Sequence, residues 1–334
     1  MTRRFRRIVR WFLGITISAL GALVLLLTFT KLPGEEKTPS GLRRNTARYI
    51  KMHDGVPLAA DVWLPSDYQT GQRLPVLLRA ARYGRDGQFG WAFRLLVALK
   101  LTEPHGPGDA QTDYLNSRHF VVVIADARGS GASGGHREVE FSSPEISDLG
   151  ELVNWAAQQP WSNGSVGTFG NSYEGTAAEL AASNNVPALK AVAAFSSSFD
   201  TGMQLFPGGL YDQGMVQSWR ELIRKLDRTR GDICAQGGLH GLRCLWAARM
   251  LRGVKRVDDD RDGTQLAAIL AQRHVQYPDE LLSRAEFRDE RIPLSGGLTI
   301  TLAGISPFAH RAEIARSRVA LQVWCGWLDA TVCE

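Results

Sequence analysis

Gly170-Asn171-Ser172-Tyr173-Glu174-Gly175 sets one serine between glycines where two unlike segments meet. Ser165–Gly170 (SVGTFG) leads in with strand character, and an alanine-rich stretch of helical character (TAAELAAS) leads out. A serine on so tight a strand-to-helix turn has its hydroxyl lifted above the sheet, and small residues on either side permit the close approach. The helix start adds backbone N–H groups and a positive dipole end where an oxyanion would form. The pattern is G-x-S-x-G with its last glycine one place late, so it predicts acyl transfer through Ser172. An ordinary glycine-rich turn is the competing reading. Glu174 would either meet a substrate ammonium or sit solvated at the helix start, where negative charge suits the dipole. Asp126 and Arg128, at a strand end beside glycines, read as structural.

The elements that must hold this serine are apolar runs of strand length: Leu74–Ala80, Phe120–Asp126, Ser165–Gly170 and Leu189–Ser196. Between the second and third, Ser143 and Pro144 open a helix whose Ile146, Leu149, Val153 and Ala156 share one face. Continuous apolar strands alternating with amphipathic helices predict an α/β fold with a mostly parallel sheet covered on both faces. From 201 to 310 the pattern turns helical, with segments such as Trp219–Arg228 and Gln265–Arg273, and reads as a helical cap. A last apolar run, Val319–Trp327, returns to the sheet. The core is thus expected over 47–200 and 311–334.

The chain has 334 residues, 44% hydrophobic and 22% charged, which suits a globular body with a large core. Its formal charge of +5 comes from Arg3, Arg4, Arg6, Arg7 and Arg10, so the body carries no basic stripe and nucleic acid is not an expected partner. Trp11–Thr30 holds no charge, and at about 1.5 Å per residue a helix there would be about 30 Å long, which predicts a single-pass signal anchor over 1–32. The arginines then place the body on the exported side of the inner membrane, joined through a polar linker over 33–46. Four cysteines are too few for a disulfide scaffold. Cys234 with Cys244, or Cys325 with Cys333, could pair, and neither spacing suits a metal. No metal or cofactor is expected, and the oligomeric state is left open.

Several short segments in shared order resemble the cocaine-esterase and X-Pro dipeptidyl-peptidase-like serine hydrolases of the α/β-hydrolase fold: Asp61–Pro65, Arg82-Tyr83-Gly84, Asp126–Gly135, Gln159–Gly164, Gly170–Gly175 and Gly326–Asp329. The resemblance implies that Ser172 is the nucleophile, that the Tyr173 backbone N–H and the Tyr83 hydroxyl form the oxyanion hole, and that Asp329 is the triad acid. It also implies a small ester, amide or short-peptide substrate, with a proline-specific exopeptidase as the alternative. In this fold the histidine follows the acid, yet His53, His105, His119, His136, His240, His274 and His310 all precede Asp329, with His310 the least implausible substitute. The family's C-terminal β-sandwich is absent from the sequence as well. These departures read as a truncated chain, and keep open a catalytically inactive fragment or binding module.

Overall fold

The computed structural model describes residues 3–29, 36–85, 87–99, 101, 110–226, 251–273, 285, 287–294 and 297–326. Its strands are β1 (Asn45–Lys51), β2 (Pro57–Trp63), β3 (Leu74–Ala81), β4 (Gly87–Phe89), β5 (Val121–Asp126), β6 (Ser162–Asn171), β7 (Leu189–Phe195), β8 (Leu251–Val254), β9 (Ile292–Pro293), β10 (Thr299–Ile300) and β11 (Ala320–Trp324). The helices are α1 (Arg3–Phe29), α2 (Trp91–Ala98), α3 (Ala110–Ser117), α4 (Ser143–Ala157), α5 (Tyr173–Ser183), α6 (Thr201–Leu205), α7 (Gln213–Leu226), α8 (Thr264–Gln272) and α9 (Arg311–Ser317).

Seven strands form one sheet in the order β1-β2-β5-β3-β6-β7-β11. The first two pairings are antiparallel and the other four parallel. A parallel sheet that begins with an antiparallel hairpin and crosses over between β3 and β5 is the α/β-hydrolase arrangement, as the apolar runs predicted. β5 is buried at every position because it lies in the interior of the sheet with both faces covered. The antiparallel β1 and β2 carried no continuous apolar run, and their hairpin closes through Gly55 at φ 87°.

Helix α4 buries Ile146, Leu149, Val153 and Ala156, the face read from the sequence. Its N-cap is Ser142 rather than Ser143, and no side-chain hydroxyl closes it. Glu145 folds back instead to accept from the Phe141 N–H at 2.9 Å. Helix α5 is buried along nearly its whole length, which only a run of alanines and one glycine permits so close to a sheet. Each fully buried aliphatic side chain of this core, Leu152 and Leu180 among them, contributes about 1.5–3 kcal/mol.

The membrane expectation is overturned. Helix α1 forms and has 27 residues, yet among the described residues no helix is long and apolar enough to cross a membrane. Five arginines charge the first turns of α1, and Gly14, Thr16, Ser18 and Gly21 interrupt its apolar run. The expected span, the membrane as partner through residues 11–30 and the inner-membrane location are therefore withdrawn. Cys325 is disulfide-bonded, whereas Cys234, Cys244 and Cys333 lie outside the described residues.

Candidate active site

Ser172 sits between β6 and α5 with φ 86° and ψ −114°, a backbone state that costs a residue with a side chain about 1–3 kcal/mol. Two hydrogen bonds hold it there: its N–H donates to the Phe195 carbonyl at 2.9 Å, and its own carbonyl accepts from the Thr176 N–H at 3.0 Å. The neighbouring glycines follow from the same bend. A Cβ on Gly170 would lie 2.4 Å from Glu174, and one on Gly175 would lie 2.8 Å from the Phe195 carbonyl. The late glycine is thus the residue that meets β7, so the displaced motif still closes the turn.

Tyr83 comes from the loop after β3 and turns at Gly84, φ 88°. Its hydroxyl donates to Ser172 Oγ at 3.4 Å, joining two of the four predicted site residues. The third, Tyr173, is the first residue of α5, where the backbone N–H has no partner within the helix. Its ring stacks on Phe141 at 4.5 Å and meets the Tyr83 ring edge-on at 6.4 Å. Its buried phenol donates to Glu145 and accepts from Arg137 Nη1 at 3.2 Å. Burial, above all, pushes that phenol well above the ordinary tyrosine range. The fourth, Asp329, lies outside the described residues. β11 ends at Trp324, whose carbonyl accepts from the Ser196 N–H at 2.7 Å just beyond β7.

A cavity of about 460 Å³ opens over Ser172, within the span of small-molecule sites. Tyr83, Phe141, Leu205, Val216, Trp219 and Ile305 form much of its apolar wall. Its floor rests on a buried charge belt that sequence reasoning missed. Arg82 pairs with Glu140 at 3.3 Å, and Arg137 pairs with Glu140 and, at 2.9 Å, with Glu145. Arg128 joins Asp148 at 2.6 Å and Asp54 at 2.7 Å. Mixed charges over 128–145 look like a solvated loop in sequence, and no spacing signal marks them as buried.

Glu174 departs from both of its sequence readings. It is buried, with Arg79 3.8 Å away, and does not line the cavity. The structural role expected of Asp126 and Arg128 fits their contacts. Asp126 accepts from the backbone N–H groups of Arg85 at 2.6 Å and Ala132 at 2.7 Å. Burial raises Asp126 from 3.8 to about 6 against the opposing pull of Arg85 and two backbone N–H groups, whereas Arg85 and Lys255 outweigh burial at Asp61 and hold it below the usual carboxylate range.

Among the described residues that line the cavity there is no histidine. His310 Nε2 lies 3.0 Å from the Gly304 carbonyl, His53 bonds Glu151, His119 stands 3.9 Å from Asp67, and His136 stands 3.0 Å from Glu138. His105, His240 and His274 lie outside the described residues.

The sequence profile of the X-Pro dipeptidyl-peptidase (S15) family matches residues 54–277. A Mycobacterium bovis protein assigned as a serine esterase is 32% identical over 306 residues, 86% of this chain and 47% of its own length. The cocaine esterase of a Rhodococcus strain is 30% identical over 224 residues, 66% of this chain and 32% of its own. The chain therefore spans less than half the length of these curated relatives. The solved structure of a CocE/NonD family hydrolase from Staphylococcus aureus aligns over 84% of this chain and 45% of its own, with 24% identity and a TM-score of 0.46.

Proposed function

The chain belongs to the X-Pro dipeptidyl-peptidase (S15) family, and from that premise we propose that it carries the nucleophile and oxyanion-binding part of a serine hydrolase acting on small esters, amides or short peptides. The observation that supports this most directly is the strained Ser172, whose Oγ receives the Tyr83 hydroxyl at 3.4 Å inside an apolar cavity.

In the first step Ser172 Oγ attacks the substrate carbonyl carbon and passes its proton to a general base, which then hands it to the leaving group. The carbonyl oxygen takes the negative charge, held by the Tyr83 hydroxyl and the Tyr173 backbone N–H. Collapse expels the alcohol or amine, which leaves with a proton, and the acyl group stays on Ser172. Water then attacks the acyl-enzyme and releases the acid. Asp329 is the acid of this scheme, and His310 holds the Gly304 carbonyl through Nε2 at 3.0 Å and does not line the cavity. On this reading 47–200 and 311–334 supply the chemistry, and 201–310 is the cap that sets specificity.

Glu138 and Glu140 both line the cavity. Glu140 is paired with Arg82 and Arg137, whereas Glu138 has His136 at 3.0 Å, so the wall carries a carboxylate that an ammonium-bearing substrate, an X-Pro peptide or an aminoacyl ester, could meet. Glu174 is turned toward Arg79.

A fluorophosphonate probe on the full chain tests the reading. The expected result is covalent labelling that disappears in Ser172→Ala while the variant keeps its fold. Labelling that persists in that variant, or is absent from the native chain, defeats the proposal and supports a module that binds without turnover.

A further inference from the structure

We propose that Trp219 is a positioning residue for Tyr83, so that the helix roofing the cavity takes part in forming the oxyanion hole; the proposal rests on the functional reading of Ser172 and Tyr83 given above. The indole Nε1 of Trp219 donates to the Tyr83 hydroxyl at 3.4 Å, and that hydroxyl donates to Ser172 Oγ at 3.4 Å. A phenol owns one proton and an indole N–H can only donate. Once Trp219 supplies the hydrogen bond on one side of the oxygen, the Tyr83 proton is directed to the other side, toward Ser172 and the position where carbonyl charge develops. Without the indole, the hydroxyl rotates between orientations, and only some of them face the oxyanion.

The roof is built to hold that indole in place. Asp212 caps α7, its carboxylate accepting from the Met215 N–H at 2.9 Å and its carbonyl from the Val216 N–H at 3.2 Å. Val216 and Arg220 are buried on the same helix, and Trp219 between them packs against the main hydrophobic core. Tyr83 is braced independently by the edge of Tyr173. Donation into a phenol also polarises its O–H, which strengthens the bond it gives onward.

The test is a double-mutant cycle on fluorophosphonate labelling of Ser172 in the full chain, with kinact and KI separated. Trp219→Phe keeps an aromatic wall and removes the N–H; kinact is expected to fall about tenfold, the usual scale of one lost hydrogen bond, with KI within about twofold. Tyr83→Phe lowers kinact by about 10²–10³, and adding Trp219→Phe to it should change nothing further. Multiplicative losses, a loss confined to KI, or native labelling rates in Trp219→Phe would overturn the proposal while leaving the functional reading intact. Absence of Ser172-dependent labelling in the native chain would sink that reading instead. In that event the Trp219 indole N–H resonance decides: a shift on Tyr83→Phe upholds the contact, and an unmoved resonance refutes it.

Discussion

The floor and the roof of the cavity are built on different principles. The floor, from β3, β6, α5 and the segment over 128–145 that runs into α4, is over-determined. Ser172 keeps a strained backbone because two backbone hydrogen bonds and two contact-limited glycines leave it no alternative. The roof, from α6 and α7, brings Leu205, Val216 and Trp219 to the cavity, and the Trp219 indole N–H reaches Tyr83 on the floor. Strain and buried charge persist only where the surroundings fix them, so the proposed chemistry is assigned to the floor. On the proposed reading the roof touches that chemistry at one point, the Trp219 indole on Tyr83, and elsewhere its shape can vary, so selectivity is expected there.

The largest expected effect strikes the floor at its point of contact with substrate. Tyr83→Phe removes one oxyanion donor and should lower ester turnover, or the rate of Ser172 labelling, by about 10²–10³, with little change in thermal midpoint. A loss below about fivefold would mean that the hydroxyl does not face the developing charge, and the division between floor and roof would then have no catalytic content.

Next is the mechanical rigidity of the floor. Gly175→Ala pushes a methyl to within 2.8 Å of the Phe195 carbonyl, and that backbone oxygen cannot rotate away. The expected cost is about 1–3 kcal/mol in urea unfolding, with labelling slowed because α5 must shift. An equal alanine substitution in the roof, at Gly214, where the nearest atom is 3.7 Å away, should be neutral or stabilising within a helix.

This asymmetry also governs what could be read in advance. The parallel strands β3, β5, β6 and β7 announced themselves because burial on both faces demands unbroken apolar runs. Ser172 was legible because the bend at 172 needs small neighbours at Gly170 and Gly175. Tyr83 came from a resemblance, since a lone tyrosine after a strand carries no spacing signal. The charge belt of Arg82, Arg137, Glu140 and Glu145 was illegible, because burial of a charged segment depends on partners distant in sequence. So was Trp219, whose role exists only through a contact to a residue 136 positions away. Helix α1 is the opposite case: the uncharged run Trp11–Thr30 predicts a span, yet among the described residues no helix is long and apolar enough to cross a membrane.

A third test concerns the electrostatics beneath the floor. Asp126 binds its proton more tightly in the folded chain, because burial raises it from 3.8 to about 6. The protonated form is then favoured by folding, so this group's contribution is full below about pH 4, declines as pH rises toward 6 and is flat above. The decline amounts to about 2–3 kcal/mol. Asp126→Asn cannot titrate, so the difference in urea midpoint between native chain and variant should shift in the variant's favour from pH 4 to 6. A pH-independent difference would show that Arg85 and the two backbone N–H groups fully compensate the buried charge.

The smallest effect belongs to the roof. Leu205, on α6, lines the cavity and is half-buried, so Leu205→Ala should cost only about 1 kcal/mol or less in stability, well under the 2–5 kcal/mol of a buried leucine. It widens the apolar wall while leaving Ser172 and Tyr83 untouched. A series of p-nitrophenyl esters of increasing acyl length should therefore shift its optimum toward longer chains, with relative kcat/KM changing about tenfold across the series. If every ester lost rate by the same factor, α6 would be acting on the nucleophile itself, and the roof would belong with the catalytic floor.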